Sequence, residues 1–218
     1  MLKHFLLFVI YKILFPLPLR IFGIKIYGRQ HLKLQKQWII VANHNSHADT
    51  MALMSSIPFR MLRITHPVAT AQYFGKNKGL VWLSNLLVNT VLIKRREDQL
   101  QAADQTPEPG QTNALELLEE KLAQGHSLIF FPEGTRGEPE KLQAFRKGIG
   151  VLLHKFPNVH FVPVYIHGTG KILPKGALLP VPHRANIRIG KPQLAAATTV
   201  EELVKDVEEK VLALSSLT

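Results

Sequence analysis

A histidine and an aspartate stand five residues apart in the polar segment 43–49, which reads Asn-His-Asn-Ser-His-Ala-Asp. The segment follows a short apolar stretch and precedes a helix-like one, so we expect a loop that leads into a helix. In that setting the Asp49 carboxylate can hydrogen-bond to the His44 imidazole across one turn, which fixes the tautomer of the ring and raises its basicity. The pair predicts a general base, His44, oriented by Asp49.

This segment offers no well-placed nucleophile. The chain contains no cysteine, which excludes a thiolate, and Ser46 lies inside the turn, where it is badly placed to reach the ring nitrogen that faces a substrate. The substrate would then supply the hydroxyl that His44 activates for attack on an acyl group. Two alternatives stay open: a capping aspartate beside an unrelated histidine, and a metal site that includes His47, for which His-x-x-His-x-Asp is weak evidence.

Three consecutive cations, Lys94, Arg95 and Arg96, follow the apolar residues 90–93. Arginine suits a phosphate because its planar fork binds two oxygens at once. On its own, such a triplet is more typical of solvated surface, so it needs a second phosphate-binding segment nearby.

The segment 132–137, Pro-Glu-Gly-Thr-Arg-Gly, is more specific and follows the apolar residues 127–131. Gly134 lets the main chain approach a ligand closely, while Thr135 and Arg136 can bind phosphate oxygens. Glu133 carries the same charge as a phosphate, so we expect it to accept a hydrogen bond from a neutral hydroxyl or to orient Arg136.

These segments follow predicted strands. Hydrophobic runs predict strands at 37–42, 68–71, 90–93, 127–131, 159–166 and 185–190, and helices at 114–124 and 199–215. Strands that alternate with helices predict an α/β fold with a mostly parallel central sheet flanked by helices. Ligands of such folds bind outside the carboxyl ends of the strands, where the three polar segments would meet.

The first 26 residues are apolar almost throughout, with basic residues at intervals. Lys12 interrupts the run, and Pro16 and Pro18 are expected to end a helix near Phe15, which leaves the segment too short to span a bilayer. The pattern predicts a membrane-associating helical segment that lies among lipid headgroups. The alternative is a core helix of the domain.

Charge is divided unevenly along the 218 residues, whose net charge is +11. Residues 1–96 contain 14 Lys and Arg and a single acid, Asp49, whereas residues 97–218 contain 13 basic and 15 acidic residues. Such a division indicates a polyanionic partner, either nucleic acid or an anionic membrane. The apolar N-terminus favours the membrane and argues against nucleic acid.

Four segments in order, Asn-His-Asn-Ser-His-Ala-Asp, Val-Leu-Ile-Lys-Arg, Phe-Pro-Glu-Gly-Thr-Arg and Val-Pro-Val-Tyr-Ile-His-Gly, resemble the four motifs of the glycerolipid acyltransferases, the family of 1-acyl-sn-glycerol-3-phosphate acyltransferases. The resemblance covers residues 25–192. It implies that His44 is the general base and Asp49 its partner. It also implies acyl-CoA or acyl-carrier-protein as donor, a lysophospholipid hydroxyl as acceptor, and no metal or other cofactor.

The resemblance also implies roles for binding residues. Lys94, Arg95, Gly134, Thr135 and Arg136 would hold the acceptor, with its phosphate on the arginines, and Glu133 would lie near the glycerol hydroxyl. Val162 and Pro163 would line the acyl or acceptor pocket. The second motif lacks its usual glycine, since Asn89 and Thr90 occupy that region. This departure leaves the acceptor headgroup open.

The expected protein is therefore a membrane-associated O-acyltransferase that converts 1-acyl-sn-glycerol-3-phosphate to phosphatidic acid. Its alternatives are another lysolipid acceptor and a catalytically silent lipid-binding protein. We expect a membrane-associating segment at 1–24 and an acyltransferase domain at 25–218. Membrane lipids and the acyl donor would be its partners, and the cytoplasmic face of a membrane, held in a monotopic or peripheral way, its location.

Overall fold

The computed structural model describes residues 2–70, 89–93, 114–135, 141–172 and 181–217. In these ranges the chain forms a seven-stranded sheet with the strand order β1-β7-β6-β2-β5-β3-β4. The strands are β1 (Ile24–Tyr27), β2 (Trp38–Ala42), β3 (Thr65–Thr70), β4 (Val91–Ile93), β5 (Ser127–Phe130), β6 (His160–His167) and β7 (Ala185–Ile189).

Strands β2 to β6 run in the same direction, which confirms the predicted α/β class and the mostly parallel sheet. β1 and β7 run the opposite way, since they are parallel to each other and β7 pairs with β6 in the antiparallel sense. The edge strand β1 is not among the predicted strands. β3 begins earlier than predicted because the polar residues Thr65 and His66 already pair with β5.

Helices cover both faces of the sheet. They are α1 (Leu2–Phe8), α2 (Pro16–Ile21), α3 (His47–Ser56), α4 (Ala114–Ala123), α5 (Gly148–Lys155), α6 (Thr169–Ile172) and α7 (Val200–Ala213). A π-helical segment (Val9–Leu14) lies between α1 and α2, and 3-10 turns form at Arg29–Lys33, Phe59–Ile64 and Ser215–Leu217. α5 is not among the predicted helices. Its Gly150 allows close packing on α7, because a Cβ there would lie 2.4 Å from Val200 O.

A hydrophobic cluster lies on each face of the sheet. The N-terminal helices and α3 pack on one face, and α4, α5 and α7 pack on the other. The capping box predicted for α7 is present, since Thr199 Oγ1 accepts from Glu202 N (3.3 Å) and Glu202 Oε2 accepts from Thr199 N (3.2 Å). From this start α7 buries Leu203, Val207 and Val211, which recur every four residues along one side.

Proline does not prevent further helix in the N-terminal segment. The π-helical residues end at Leu14, close to the predicted end, but α2 begins at Pro16 and continues to Ile21. Pro16 and Pro18 are tolerated because N–H groups in the first turn of a helix have no partner within that helix.

One side of the N-terminal segment packs against α3. Leu7 and Tyr11 are fully buried in the hydrophobic cluster that includes α3. Tyr11 Oη donates to Met51 Sδ (3.6 Å), and Lys12 Nζ donates to Ser55 O (2.6 Å). The alternative of a core helix therefore describes this side of the segment.

The other side of the segment is apolar and exposed. Phe5, Ile13, Leu14, Leu17 and Ile21, here called the apolar surface, are each 57–65% exposed. Lys3–Ile21 is one helical stretch in the described part of the chain that is long and apolar enough to cross a membrane, by length and composition only. The expectation that Pro16 and Pro18 leave the segment too short to span is therefore wrong. The segment thus combines a packed side with an exposed hydrophobic side.

Two histidines hydrogen-bond to each other near the amino ends of β3 and β5. His66 Nδ1 donates to Asn89 O (2.9 Å), because a carbonyl oxygen only accepts, and His66 Nε2 therefore keeps a lone pair. His126 Nδ1, 2.9 Å away, donates to that lone pair. Burial lowers the pKa of His66 to about 4 and also lowers the pKa of His126.

This pair predicts a loss of stability in acid. The pKa of His66 is about 4 in the folded protein against an ordinary 6.5, so the unfolded state binds more protons between these values and stability falls as pH falls. From His66 alone, we expect the free energy of unfolding to be about 2 kcal/mol lower at pH 5 than at pH 7.5. Urea denaturation at both pH values measures the difference.

The variant His66→Asn isolates this effect, because an asparagine amide can replace the Nδ1–H donor without titrating. Its stability should depend less on pH than that of the wild type. The exposed His154 on α5 gives the control His154→Asn, which should keep the wild-type dependence. A His66→Asn protein that loses as much stability in acid as the wild type contradicts the assignment.

Candidate active site

Two asparagines hold the loop between β2 and α3 against β6. Asn43 Nδ2 donates to Ile166 O (2.8 Å) and Ile166 N donates to Asn43 Oδ1 (2.7 Å), so this side chain continues the β2–β6 pairing beyond Ala42. Asn45 Nδ2 donates to the same carbonyl oxygen (2.9 Å). The main chain is thereby fixed on both sides of His44.

The structure brings His44 and Asp49 together. His44 Nδ1 lies 3.0 Å from Asp49 Oδ2. A carboxylate oxygen accepts, so Nδ1 carries the proton and Nε2 keeps a lone pair. Asp49 is fully buried, and its Oδ2 also accepts from the main-chain N–H groups of Asn45 (2.7 Å) and Ser46 (2.8 Å). The His44 side chain is 17% exposed, so an oriented base can be reached from outside.

Ser46 is the N-cap of α3. Its Oγ accepts from Ala48 N (3.2 Å), it forms a capping box with Asp49, and it is fully buried. Because α3 begins at His47, Asp49 lies in the first turn, where the helix dipole favours a carboxylate. A buried capping hydroxyl is poorly placed to accept an acyl group, which favours direct transfer to a substrate hydroxyl.

The end of β5 supports His44 from a second strand. The Phe131 ring stacks on the imidazole, with the ring centroids 4.1 Å apart and the planes inclined by 21°. Glu133 Oε1 accepts from the main-chain N–H of His44 (2.9 Å), and Glu133 Oε2 accepts from Gln143 N (3.3 Å). Glu133 is 2% exposed, and burial raises its pKa. This carboxyl group therefore links the β5 turn to the β2 loop.

Gly134 and Thr135 lie in the turn after β5. Gly134 has φ = +74°, in the left-handed region that favours glycine. Thr135 Oγ1 donates to Gln143 Oε1 (3.4 Å), which belongs to the segment 141–146 that returns to the turn. Both predicted binding residues are thus within two residues of Glu133, beside the His44 loop.

Val162 and Pro163 lie inside β6, opposite Ile40 and Val41 of β2. Both are buried. Consecutive residues of a strand point to opposite faces of a sheet, so these two side chains do not face one common pocket. In the described residues, β6 supports the site through the main chain of Ile166.

Lys94, Arg95 and Arg136 lie outside the described residues, so their phosphate contacts stay predictions. Within the described ranges, no three His, Asp or Glu side chains are arranged as metal ligands.

Four residues that contact the site are not predicted from the sequence: Asn43, Asn45, Phe131 and Gln143. Two amides on either side of a candidate base are a pattern that could have indicated a braced loop. Phe131 is interpreted only as the last apolar residue of a strand. Nothing in the sequence indicates Gln143, because its contact with Glu133 depends on how the segment 141–146 returns.

The arrangement can remove a proton from a hydroxyl group. The base lies where three parallel strands, β2, β5 and β6, end, which is the ligand-binding edge of such sheets. His44 Nε2 has no hydrogen bond to the part of the chain that the structure describes, so it is available to a substrate. This geometry suits attack by a bound alcohol on an activated acyl group.

Comparisons with known proteins point to the same chemistry. The family model Acyltransferase matches residues 23–167, more than half of the chain. A 1-acyl-sn-glycerol-3-phosphate acyltransferase of Chlamydomonas reinhardtii is 29% identical over 157 residues, which cover 71% of this chain and 42% of that protein. The chloroplastic 1-acyl-sn-glycerol-3-phosphate acyltransferase LPAT1 of Arabidopsis thaliana is 39% identical over 140 residues, which cover 64% of this chain and 34% of that protein.

The chain spans less than half the length of these curated relatives. Among solved structures, the crystal structure of the 1-acyl-sn-glycerophosphate (LPA) acyltransferase PlsC from Thermotoga maritima matches with a TM-score of 0.74 and 26% identity. This match covers 99% of the present chain and 80% of that one. The family model extends from β1 to the end of β6 and includes the His44 loop and the β5 turn; the chain belongs to the Acyltransferase family.

Proposed function

We propose that the protein transfers a fatty acyl group from a thioester to the free hydroxyl of 1-acyl-sn-glycerol-3-phosphate, which gives phosphatidic acid. The observation that carries the proposal is the 3.0 Å hydrogen bond between His44 Nδ1 and Asp49 Oδ2 at the carboxyl ends of the central strands. The names of the two curated relatives and of the Thermotoga structure support this acceptor.

The chemical step uses His44 as a base. Nε2 takes the proton of the acceptor hydroxyl while the hydroxyl oxygen forms a bond to the thioester carbonyl carbon. The tetrahedral intermediate then expels the thiolate, which breaks the carbon–sulfur bond, and the imidazolium returns its proton to the leaving sulfur. Asp49 holds the ring in the required tautomer and stabilises the imidazolium. No covalent acyl-enzyme is formed.

The donor is acyl-CoA or acyl-carrier-protein, since both present the same thioester to His44. Arg95 and Arg136 bind the acceptor phosphate, with Lys94, Gly134 and Thr135 beside them. Glu133 supports this arrangement by bonding the main chain of His44. The reaction needs no metal or other cofactor, because the thioester is already activated.

The protein acts at a membrane surface. The apolar surface of the N-terminal segment would enter the lipid, and the excess of basic residues in positions 1–96 would face anionic headgroups. We place it on the cytoplasmic face, held in a monotopic or peripheral way. Both substrates of the reaction, a lysolipid and an acyl thioester, are accessible there.

A transfer assay tests the proposal. Purified full-length protein in mixed vesicles is incubated with radiolabelled acyl-CoA or acyl-carrier-protein and a panel of lysolipids that differ in headgroup. We expect phosphatidic acid as the main product, formed at least about a hundredfold more slowly by His44→Ala. Transfer to a different lysolipid would revise the acceptor. Binding of lysolipids without transfer from either donor would instead identify a silent lipid-binding protein.

A further inference from the structure

The segment 141–146 folds back over the turn that follows β5. Gln143 N donates to Glu133 Oε2 (3.3 Å), and Arg146 N donates to Pro132 O (3.0 Å). Thr135 Oγ1 adds a side-chain contact to Gln143 Oε1 (3.4 Å). The returning segment is thus fastened to the same turn that contacts the main chain of His44 through Glu133.

The Arg146 side chain occupies the space beside Gly134. A Cβ built on Gly134 would lie 3.1 Å from Arg146 Nε, 3.2 Å from Cδ and 3.3 Å from Cζ. These distances are shorter than ordinary van der Waals contacts, so any side chain at position 134 would displace the guanidinium group. A glycine is therefore favoured at position 134 for two reasons: the Arg146 side chain occupies the space of a Cβ, and the φ angle is positive.

The charge of Arg146 is not neutralised within the described residues. Its exposed guanidinium group forms no hydrogen bond or ion pair there, and the Glu133 carboxyl group is occupied by the main-chain N–H groups of His44 and Gln143. Its neighbour Lys147 differs, since Lys147 Nζ lies 2.6 Å from Glu201 Oε1. Of these two consecutive cations, Arg146 lies at the site and has no carboxylate partner among the described residues.

We propose that Arg146 binds the phosphate group of the acceptor, in addition to Arg95 and Arg136. The inference rests on the proposed function, because it assigns the partner of the same site. In a 1-acylglycerol 3-phosphate the phosphate is only a few bonds from the reacting hydroxyl, so its cations must lie close to His44. The β5 turn meets this condition, and a guanidinium fork matches a phosphate in charge and in donor geometry.

Equilibrium binding tests this role without requiring turnover. A short-chain 1-acylglycerol 3-phosphate, kept below its critical micelle concentration, is titrated calorimetrically into the wild-type protein and Arg146→Gln. A charge-assisted bond of this kind corresponds to about tenfold or more in affinity, so Kd should rise roughly tenfold in the variant. Arg146→Lys, which keeps the charge but loses the fork, should fall between the two.

Kinetics supply the second readout. The acceptor KM of Arg146→Gln should rise by about the same factor, while the donor KM stays unchanged. The matched control is Lys147→Gln, which removes an adjacent cation paired with Glu201 and should leave both constants as in the wild type.

The outcomes separate the two proposals. Equal Kd values for wild type and Arg146→Gln would overturn the role of Arg146, as would parallel increases in both KM values with a lower Tm, which mark a structural effect. A wild-type protein that binds the phosphate ligand more tightly than Arg146→Gln yet transfers no acyl group would keep this inference and end the proposed function.

Discussion

Replacing His44 with alanine should reduce kcat by about 10²–10⁴-fold, the usual contribution of a general base, while the acceptor KM changes little. The ring is removed from the reacting hydroxyl, but the acceptor phosphate is bound elsewhere. Asp49→Asn should lower kcat less, because it misorients the base without removing it. Steady-state kinetics with acyl-CoA and 1-acylglycerol 3-phosphate measure both effects.

The matched control is His154→Ala, an exposed histidine on α5, which should behave like the wild type. Near-normal turnover of His44→Ala would exclude the proposed base. Direct transfer also predicts intersecting double-reciprocal lines. Parallel lines together with an acyl group found on Ser46 by mass spectrometry would replace direct transfer with a serine acyl-enzyme.

Substituting Leu14, Leu17 and Ile21 together with glutamine should release the protein from liposomes. Each side chain is 58–63% exposed in the structure, so its burial in lipid contributes about 1 kcal/mol or more. The triple variant should then bind vesicles of mixed zwitterionic and anionic lipid roughly a hundredfold more weakly. Co-sedimentation measures the partition, and the thermal midpoint should stay close to that of the wild type.

A control of equal size uses exposed apolar residues away from this segment. Val181, Leu194 and Leu212 are 41–59% exposed, and their glutamine triple variant should sediment with liposomes as the wild type does. If the Leu14, Leu17 and Ile21 triple variant still binds vesicles fully, the apolar surface is not the anchor. Deleting residues 1–22 would be a poorer test, because it would also remove the buried Leu7 and Tyr11 from the core.

The parts of the site that sequence predicts are local in the chain. His44 and Asp49 are five residues apart, and their spacing across one turn is enough to predict a contact. The contacts that brace them join distant residues: Asn43 to Ile166 and the His44 main chain to Glu133. A single sequence holds no pattern that pairs such positions, so these contacts appear only when β2, β5 and β6 lie side by side.

In the fold, too, the local features are predicted from the sequence and the features that depend on tertiary packing are not. Apolar runs predict six strands and their alternation with helices, and this alternation is enough for the α/β class. β1 is not predicted because it is four residues long and continues an apolar N-terminus that is mostly helical. α5 is not predicted because glycine disfavours a helix, although Gly150 allows α5 to pack closely against Val200. In both cases tertiary packing overrides the local preference.

The bonds that hold the loop around His44 determine how well the loop tolerates a substitution of that residue. Asn43 and Asn45 bond to Ile166, and Glu133 accepts from the main-chain N–H of His44. Asp49 accepts from the main-chain N–H groups of Asn45 and Ser46, the two residues that follow His44. Among these bonds, none uses the imidazole, and the ring adds only its bond to Asp49 and its stacking on Phe131. The loop should therefore keep its shape when the ring is lost, so a substitution at position 44 should impair reactivity far more than folding.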